Sequence, residues 1–264
     1  MKHLAIRIFT LLAVLLLPSM LFNAPLAATA NPLPANPVNI AVRTPATSSV
    51  LQLQFNQPVR WEQVLAQLQA TGLDARWGQL TKPSEQIELE ILRTLVITDL
   101  EVLGQRWGRQ GKHGLLRASV ELIAQLKALP LVPRQPVSMN IDQVRLYARF
   151  NPLLSGDYQL HLPPRSNVVW AQGLVHLPGK RPFVGGGFAY DYGRRLTLLS
   201  GAEQHQVWII QPDGKIMSSP VDPFAPVFVG VAPGATLYVG FANLPTQFAD
   251  LNQRIMTLFA NREI

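Results

Sequence analysis

The chain has 264 residues, of which 48% are hydrophobic and 15% charged, so it can build one large or two small cores and is not a disordered chain. Its formal net charge of +7 suits acidic glycans or lipid headgroups as partners. It contains no cysteine, which excludes a disulfide framework.

The first thirty residues have the pattern of a targeting segment. Lys2 and Arg7 give a positive start, residues 8–17 are apolar, and residues 28–30 have the small side chains that a signal peptidase accepts. We therefore predict a cleaved signal peptide at residues 1–30 and a periplasmic mature chain that binds no nucleic acid. An uncleaved membrane anchor is the alternative.

The mature chain is expected to be free of membrane attachment. It lacks the cysteine that a lipoprotein needs at its cleavage site. No later segment reaches the ~18 apolar residues of a membrane-spanning helix. Removing two of the 23 basic residues leaves 21 against 16 acidic residues, a net charge near +5.

Residues 31–140 are predicted to form a first β-grasp-like domain. Residues 38–42 and 50–55 alternate apolar and polar side chains, as half-buried strands do. A helix follows, whose apolar residues are three and four positions apart from Trp61 to Leu68. Residues 73–77 are predicted to be a further strand, and residues 137–139 to return to the sheet.

A helical hairpin at about residues 84–129 is predicted as an insertion into this domain. Its first helix begins at Ser84 and runs to about Trp107. Five residues of this helix are candidates for burial: Ile87, Ile91, Leu95, Leu100 and Leu103. Glycines around residues 108–114 predict the turn, and Pro130 ends the second helix.

Residues 141–242 are predicted to form a second β-grasp-like domain. Strands are expected at residues 144–150, 157–162 and 168–170. Residues 51–55 and 158–162 share their alternation and a following proline, which a repeated module or chance would explain equally well.

The last segment, residues 243–264, predicts an amphipathic helix. Its apolar stripe consists of Phe248, Leu251, Ile255, Leu258 and Phe259, and its solvent face of Asp250, Gln253, Arg254 and Arg262. Two interpretations are open: the stripe packs on its own domain, or it binds a partner.

Signatures of catalysis and metal binding are missing from the sequence. The mature histidines are not spaced as metal ligands, and no G-x-S-x-G motif is present. The triple glycine at 185–187 lacks the P-loop pattern and predicts a turn or bulge. We therefore expect no catalytic residue, no cofactor and no metal.

Two candidate anion-binding groups are present. One surrounds the triple glycine and combines aromatic faces with guanidinium groups that suit acidic sugars: Arg181, Tyr190, Tyr192, Arg194 and Arg195. A solvated hairpin is the alternative. The other is Arg117, which either lines a pocket between the hairpin and a β domain or pairs with Glu121 on the surface.

The segment from Gln206 to Phe241 carries a family resemblance. A QVWII strand, a PDG turn, a PV…P segment and PGATLYVGF follow in order. This order resembles the C-terminal β domain of the GfcC-like capsule biosynthesis proteins. The resemblance implies an α+β fold with two β-grasp-like domains, an inserted hairpin and a C-terminal amphipathic helix.

The same resemblance implies an accessory role in capsule or exopolysaccharide assembly and export. Its expected partners are an acidic polysaccharide or the outer-membrane polysaccharide export machinery, bound without catalysis. A periplasmic polysaccharide-modifying enzyme with a pair of carboxylates is the alternative.

Overall fold

The computed structural model describes residues 37–45, 50–221 and 227–264. The predicted signal peptide lies outside these ranges. Within them, no helix combines the length and the apolar character that crossing a bilayer demands.

The first half of the chain alternates short strands with helices. Its elements are β1 (Val38–Arg43), β2 (Leu51–Phe55), β3 (Val59–Arg60), α1 (Trp61–Ala70), β4 (Gln79–Thr81), α2 (Gln86–Arg109), α3 (His113–Lys127), α4 (Ile141–Leu146), β5 (Leu153–Leu154) and β6 (Gly156–His161).

The second half contains five strands and two helices. They are β7 (Val168–Gly173), β8 (Gly179–Pro182), α5 (Ala189–Gly193), β9 (Gln206–Ile210), β10 (Ile216–Pro220), β11 (Thr236–Val239) and α6 (Leu251–Ala260). Short 3₁₀ helices occur at Pro83–Glu85, Ala148–Phe150 and Thr246–Phe248.

The first module is a four-stranded sheet in the order β2-β1-β6-β4. β1 pairs antiparallel with β2 and parallel with β6, and β4 completes the sheet antiparallel to β6. The alternation predicted for residues 38–42 buries Val38, Ile40 and Val42, because successive side chains of a strand point to opposite faces. The apolar face of α1, led by Trp61, covers this side of the sheet.

The second module is a five-stranded sheet in the order β10-β9-β11-β7-β8. Its hairpin β7–β8 and the parallel pair β7–β11 repeat the arrangement of β1, β2 and β6. The mixed α and β architecture is confirmed, whereas the β-grasp name stays a prediction. The sequence similarity between residues 51–55 and residues 158–162 does not reflect this structural repeat, because both segments are strands of the first sheet.

The boundary predicted at residue 140 does not follow the sheets. β6 lies beyond residue 140, yet it pairs with β1 along six residues. Local strand spacing could not reveal this, because a parallel partner lies more than a hundred residues away in the sequence.

The helical hairpin is confirmed as α2 and α3, which lie between β4 and β6 in the chain. Its apolar inner face packs in one core with the second sheet and α6, and α1 packs in a separate core with the first sheet. Gln125 of α3 also brackets the end of β7: its amide donates to the carbonyl of Gly173 and accepts from the N–H of Gly173, both at 2.8 Å. The hairpin therefore belongs to the first module by sequence and to the second by packing.

Only part of the predicted buried face of α2 is correct. Leu100 and Leu103 are fully buried, but Ile87, Ile91 and Leu95 are 73%, 55% and 54% exposed. The buried stripe runs instead through Leu89, Val96, Leu100, Leu103 and Trp107. Its spacing of seven, four, three and four residues defines one helical face, which leaves the other apolar side chains on the opposite side.

Three predicted strand segments are absent from the described structure. Residues 73–77 form a turn in which the Asp74 carboxylate accepts from the N–H of Arg76, and the strand follows later as β4. Residues 144–150 begin inside α4, because the Asn140 side chain accepts from the N–H groups of Asp142 and Gln143 and so caps a helix. Residues 137–139 form no strand either.

The C-terminal helix packs on its own domain. The five stripe residues from Phe248 to Phe259 are each 6% exposed or less and belong to the core shared by the hairpin and the second sheet. They have no free surface for a partner in this structure, so the packed interpretation is the correct one. Arg262, predicted on the solvent face, is also buried.

Candidate functional site

The residues predicted around the triple glycine do not form one binding face. Arg181 folds back on its own hairpin, where it donates to the carbonyls of Leu177 and Lys180. Tyr192 is buried, and its hydroxyl accepts a 2.7 Å hydrogen bond from the N–H of Val184, so this ring is structural.

Two smaller groupings remain from that prediction. The Arg194 guanidinium carbon lies 5.5 Å from the ring centroid of Tyr190. Arg195 borders a cavity of about 270 Å³ whose floor is the triple-glycine turn, with Gly186 at a positive φ of 75°. The turn predicted at residues 185–187 is confirmed.

Arg117 does not form the predicted pocket. Its side chain is exposed on α3, and the interface between α2 and α3 buries its neighbours Ala118 and Ser119 instead. No ion pair joins it to Glu121 among the described residues, so the surface-pair alternative is not realised either.

A cationic and aromatic cleft lies where the two modules meet, and the sequence did not predict it. Trp77, in the turn before β4, lines both a cavity of about 350 Å³ and one of about 280 Å³. We call this region the inter-module cleft. Its basic and aromatic side chains are Arg76, Trp77, Arg134, Arg165, Trp170, Lys180 and Arg262.

The cations of the cleft are stacked on its aromatic rings. The guanidinium carbon of Arg262 lies 4.7 Å from the ring centroid of Trp170, and Lys180 Nζ lies 5.4 Å from the same centroid. Arg165 lies 5.9 Å from the ring of Trp77 and 5.6 Å from that of Phe183. Such contacts contribute about 0.5–2 kcal/mol each, depending on how far they are removed from water.

Arg262 is buried and Arg134 is half-buried in the cleft wall, close enough for their charges to repel each other. Arg134 donates 2.8 Å to the carbonyl of Ala260 and also donates to the carbonyl of Pro212. Burial lowers the pKa of each guanidinium to about 10; Asp213 partly offsets this for Arg134, and Arg262 adds repulsion. Both groups are therefore charges held in an environment that disfavours charge.

The chain segment after α6 forms part of the cleft. Leu131 and Arg262 form an antiparallel bridge, and the N–H of Val132 donates to the carbonyl of Asn261. The Gln79 amide of the first module donates 2.9 Å to the carbonyl of Arg262. Main-chain pairing thus joins the two modules beneath the cavity.

The carboxylates near the cleft are not arranged as a general acid and base. Among the described residues, no Asp or Glu side chain lines the 350 Å³ cavity, and Asp213 is the acidic residue that lines the 280 Å³ cavity. Asp74 and Asp142 border a neighbouring cavity of about 890 Å³, but both are exposed. Hydrogen bonds from Arg76 lower the pKa of Asp74, which is the opposite of what a general acid needs.

Within the described ranges, no cluster of three or more His, Asp or Glu side chains could hold a metal ion.

Comparison with known families agrees with the two-module structure. The family model described as "Capsule biosynthesis GfcC, N-terminal" matches residues 38–165, and "Capsule biosynthesis GfcC C-terminal" matches residues 177–263. The chain belongs to the GfcC family of capsule biosynthesis proteins. The resemblance inferred from residues 206–241 is confirmed, and the family's role in capsule biosynthesis applies to this protein.

A protein of Escherichia coli (strain K12) is also similar to this chain. It is called "Uncharacterized protein YjbG" and is 32% identical over 164 residues, which cover 61% of this chain and 67% of that protein. The two family models divide the chain between residues 165 and 177, close to where β6 ends and β7 begins.

Proposed function

We propose that this protein is a periplasmic accessory of capsule or exopolysaccharide assembly that binds glycan in the inter-module cleft and carries out no catalysis. The observation that supports this most strongly is the pairing of Trp77 and Trp170 with cations in one cleft. Indole rings pack against sugar rings, and guanidinium groups hydrogen-bond carboxylates and phosphates through parallel N–H donors.

The proposed location is supported by the pattern of residues 1–30, whose charged, apolar and small-residue regions are typical of a signal peptide. Family membership supplies the pathway, and the basic balance of the mature chain favours an acidic polymer. The exposed Arg194 and Arg195 and the half-buried Tyr190, close to the triple glycine, extend the basic surface available to such a polymer.

A non-catalytic role fits the chemistry of the cleft. Retaining and inverting glycosidases place two carboxyl groups about 5–10 Å apart around the scissile bond. The described lining of the 350 Å³ cavity consists of cationic, aromatic and uncharged residues and contains no such pair of carboxyl groups. Binding without bond cleavage is the activity that such a lining supports.

Titration of the purified mature chain with capsular oligosaccharide fragments tests the proposal. We expect saturable binding by calorimetry that weakens with added salt, because screening reduces the attraction between exposed charges. Chromatography of the fragments after long incubation should show unchanged chain lengths. Absence of binding at low salt would refute the glycan-binding role and leave an adaptor of the export machinery, and shortened fragments would favour the enzyme.

A further inference from the structure

Among the residues that the structure describes, Arg262 is a buried cation without a carboxylate partner. The residue is 8% exposed, and within residues 37–45, 50–221 and 227–264 its guanidinium donates to two main-chain carbonyls, those of Gly234 at 3.1 Å and Glu263 at 3.2 Å. Its Nε–H has no acceptor among the described residues. No carboxylate forms an ion pair with it in that part of the chain.

Such an arrangement is unfavourable in the free protein. A buried charge is normally paired with an opposite charge, because main-chain carbonyls only partly replace the water it has lost. The lowered pKa of Arg262 has burial as its cause, which agrees with this description. An anion that entered the cavity would relieve the penalty.

The cavity beside Arg262 has a lining that suits an anion. Lys180 and Arg165 line the same 350 Å³ space, together with the hydroxyl-bearing Ser166, and Lys180 shares the ring of Trp170 with Arg262. The part of the lining that the structure describes contains no acidic side chain. An entering anion therefore meets three cations and an aromatic surface.

The architectural role of this segment does not require the charge. The tie between the modules uses the main chain of Arg262, through its bridge to Leu131 and its carbonyl bond from Gln79. A methionine side chain could fill much of the same volume against Trp170. The positive charge of the Arg262 guanidinium is therefore not needed for packing the two modules together.

We propose that Arg262, with Lys180 and Arg165, forms an anion subsite for the negatively charged substituent of the glycan, a uronate carboxylate or a phosphodiester. This inference rests on the proposed glycan-binding function and specifies its ligand class. Trp170 lies beneath the charged group, and Trp77 offers a surface for the neighbouring sugar.

The experiment compares three forms of one capsular oligosaccharide: untreated, with its carboxyl groups reduced to alcohols, and with its phosphodiesters removed. Binding to the wild-type mature chain is measured by calorimetry. Hydrogen bonds to a charged group justify an expected loss of about tenfold or more in affinity when the recognised charge is removed. The treatment that causes this loss identifies the carboxylate or the phosphate.

The variant Arg262→Met should bind the untreated oligosaccharide about tenfold more weakly or worse, and should no longer distinguish it from the uncharged form. Arg109→Met, an exposed arginine at the end of α2, is the matched control and should bind as wild type. Lys180→Met, at an exposed position, provides a second test if the first variant folds poorly.

Two results would overturn the subsite. If all three oligosaccharides bind the wild type equally, the cleft binds glycan without reading its charge, and only the proposed function survives. The same conclusion follows if Arg262→Met retains the wild-type preference. If no form binds the wild type, both the subsite and the glycan-binding function fail.

Discussion

Gln79 and Arg262 lie 183 positions apart in the sequence, yet the buried amide of Gln79 donates a 2.9 Å hydrogen bond to the main-chain carbonyl of Arg262. The Gln79 carbonyl oxygen accepts a second bond, of 3.1 Å, from the N–H of Ile264. Because Gln79 begins β4 of the first module, these bonds hold the main chain at Arg262 against that module.

Removing this link should weaken both the fold and the site. Gln79→Ala leaves the buried carbonyl of Arg262 and the half-buried N–H of Ile264 without their partner, so we expect the free energy of unfolding to fall by about 1–3 kcal/mol. Gln69→Ala, at an exposed position of α1, should change it by less than about 0.5 kcal/mol. Urea denaturation measures both, and equal values for the two variants would contradict the role of Gln79.

Asn252 of α6 holds the end of β11. Its Oδ1 accepts from the Tyr238 hydroxyl at 3.1 Å and from the N–H of Phe241 at 3.0 Å, and its Nδ2 donates 2.9 Å to the carbonyl of Phe241. Tyr238 is fully buried, and burial raises the pKa of its hydroxyl. The side chain of Asn252 therefore satisfies polar groups that water cannot reach.

Asn252→Ala should destabilise the protein by about 2–3 kcal/mol, because several buried polar groups lose their partner at once. The neighbouring Gln253→Ala, at an exposed position, serves as the control. Thermal unfolding followed by circular dichroism gives the comparison. An unchanged midpoint for Asn252→Ala would mean that the hydrogen bonds of this helix do not anchor it.

The buried stripe of α6 should behave as core. Ile255→Ala is expected to lower the free energy of unfolding by about 2–5 kcal/mol, since it leaves a cavity among packed side chains. Val120→Ala, which truncates an exposed side chain of α3, should have little effect. A stable Ile255→Ala that lost only a binding partner would instead restore the partner-binding interpretation of this helix.

The depressed pKa of Arg262 predicts a pH dependence of stability. Between the folded pKa of Arg262, about 10, and the higher pKa of a solvated guanidinium in the unfolded chain, the unfolded state holds more protons than the folded one. Stability contributed by this group therefore rises with pH in that window. As the pH rises through about 10, the free energy of unfolding of the wild type should increase relative to that of Arg262→Met. Denaturant titrations at pH 8–11 measure this difference. A difference that does not change with pH would mean that the guanidinium is solvated in the folded protein.

Features carried by local pattern were predictable. The alternation of residues 38–42, the PDG turn and the stripe of α6 each follow from the period of one element, and each is present in the structure. The helical hairpin followed likewise from its apolar spacing and glycine turn. Its packing partner did not, because nothing in α2 or α3 says which sheet they cover.

The cleft escaped prediction for a physical reason. Arg134, Arg165 and Arg262 stand in irregular segments, where periodicity gives no information on burial. Arg262 was assigned to the solvent side because helical spacing was extended past the end of α6, which stops at Ala260. The available signal was the recurrence of arginine beside proline at residues 133–134 and 164–165 in otherwise apolar, non-helical stretches.

The central claim is that glycan binds between Trp77 and Trp170. The chain has five tryptophans, and the other three are placed elsewhere: Trp61 donates its indole N–H to the carbonyl of Ser138, Trp107 is packed in the hairpin core, and Trp208 lies on β9. Each indole N–H gives its own NMR signal. The five signals therefore report which ring the ligand approaches.

Titrating the labelled mature chain with the untreated capsular oligosaccharide tests this most directly. We expect saturable shifts of the Trp77 and Trp170 signals while those of Trp61, Trp107 and Trp208 stay in place. Saturable shifts confined to the other three signals, or no shift of any signal at concentrations where calorimetry detects binding, would contradict binding in the inter-module cleft.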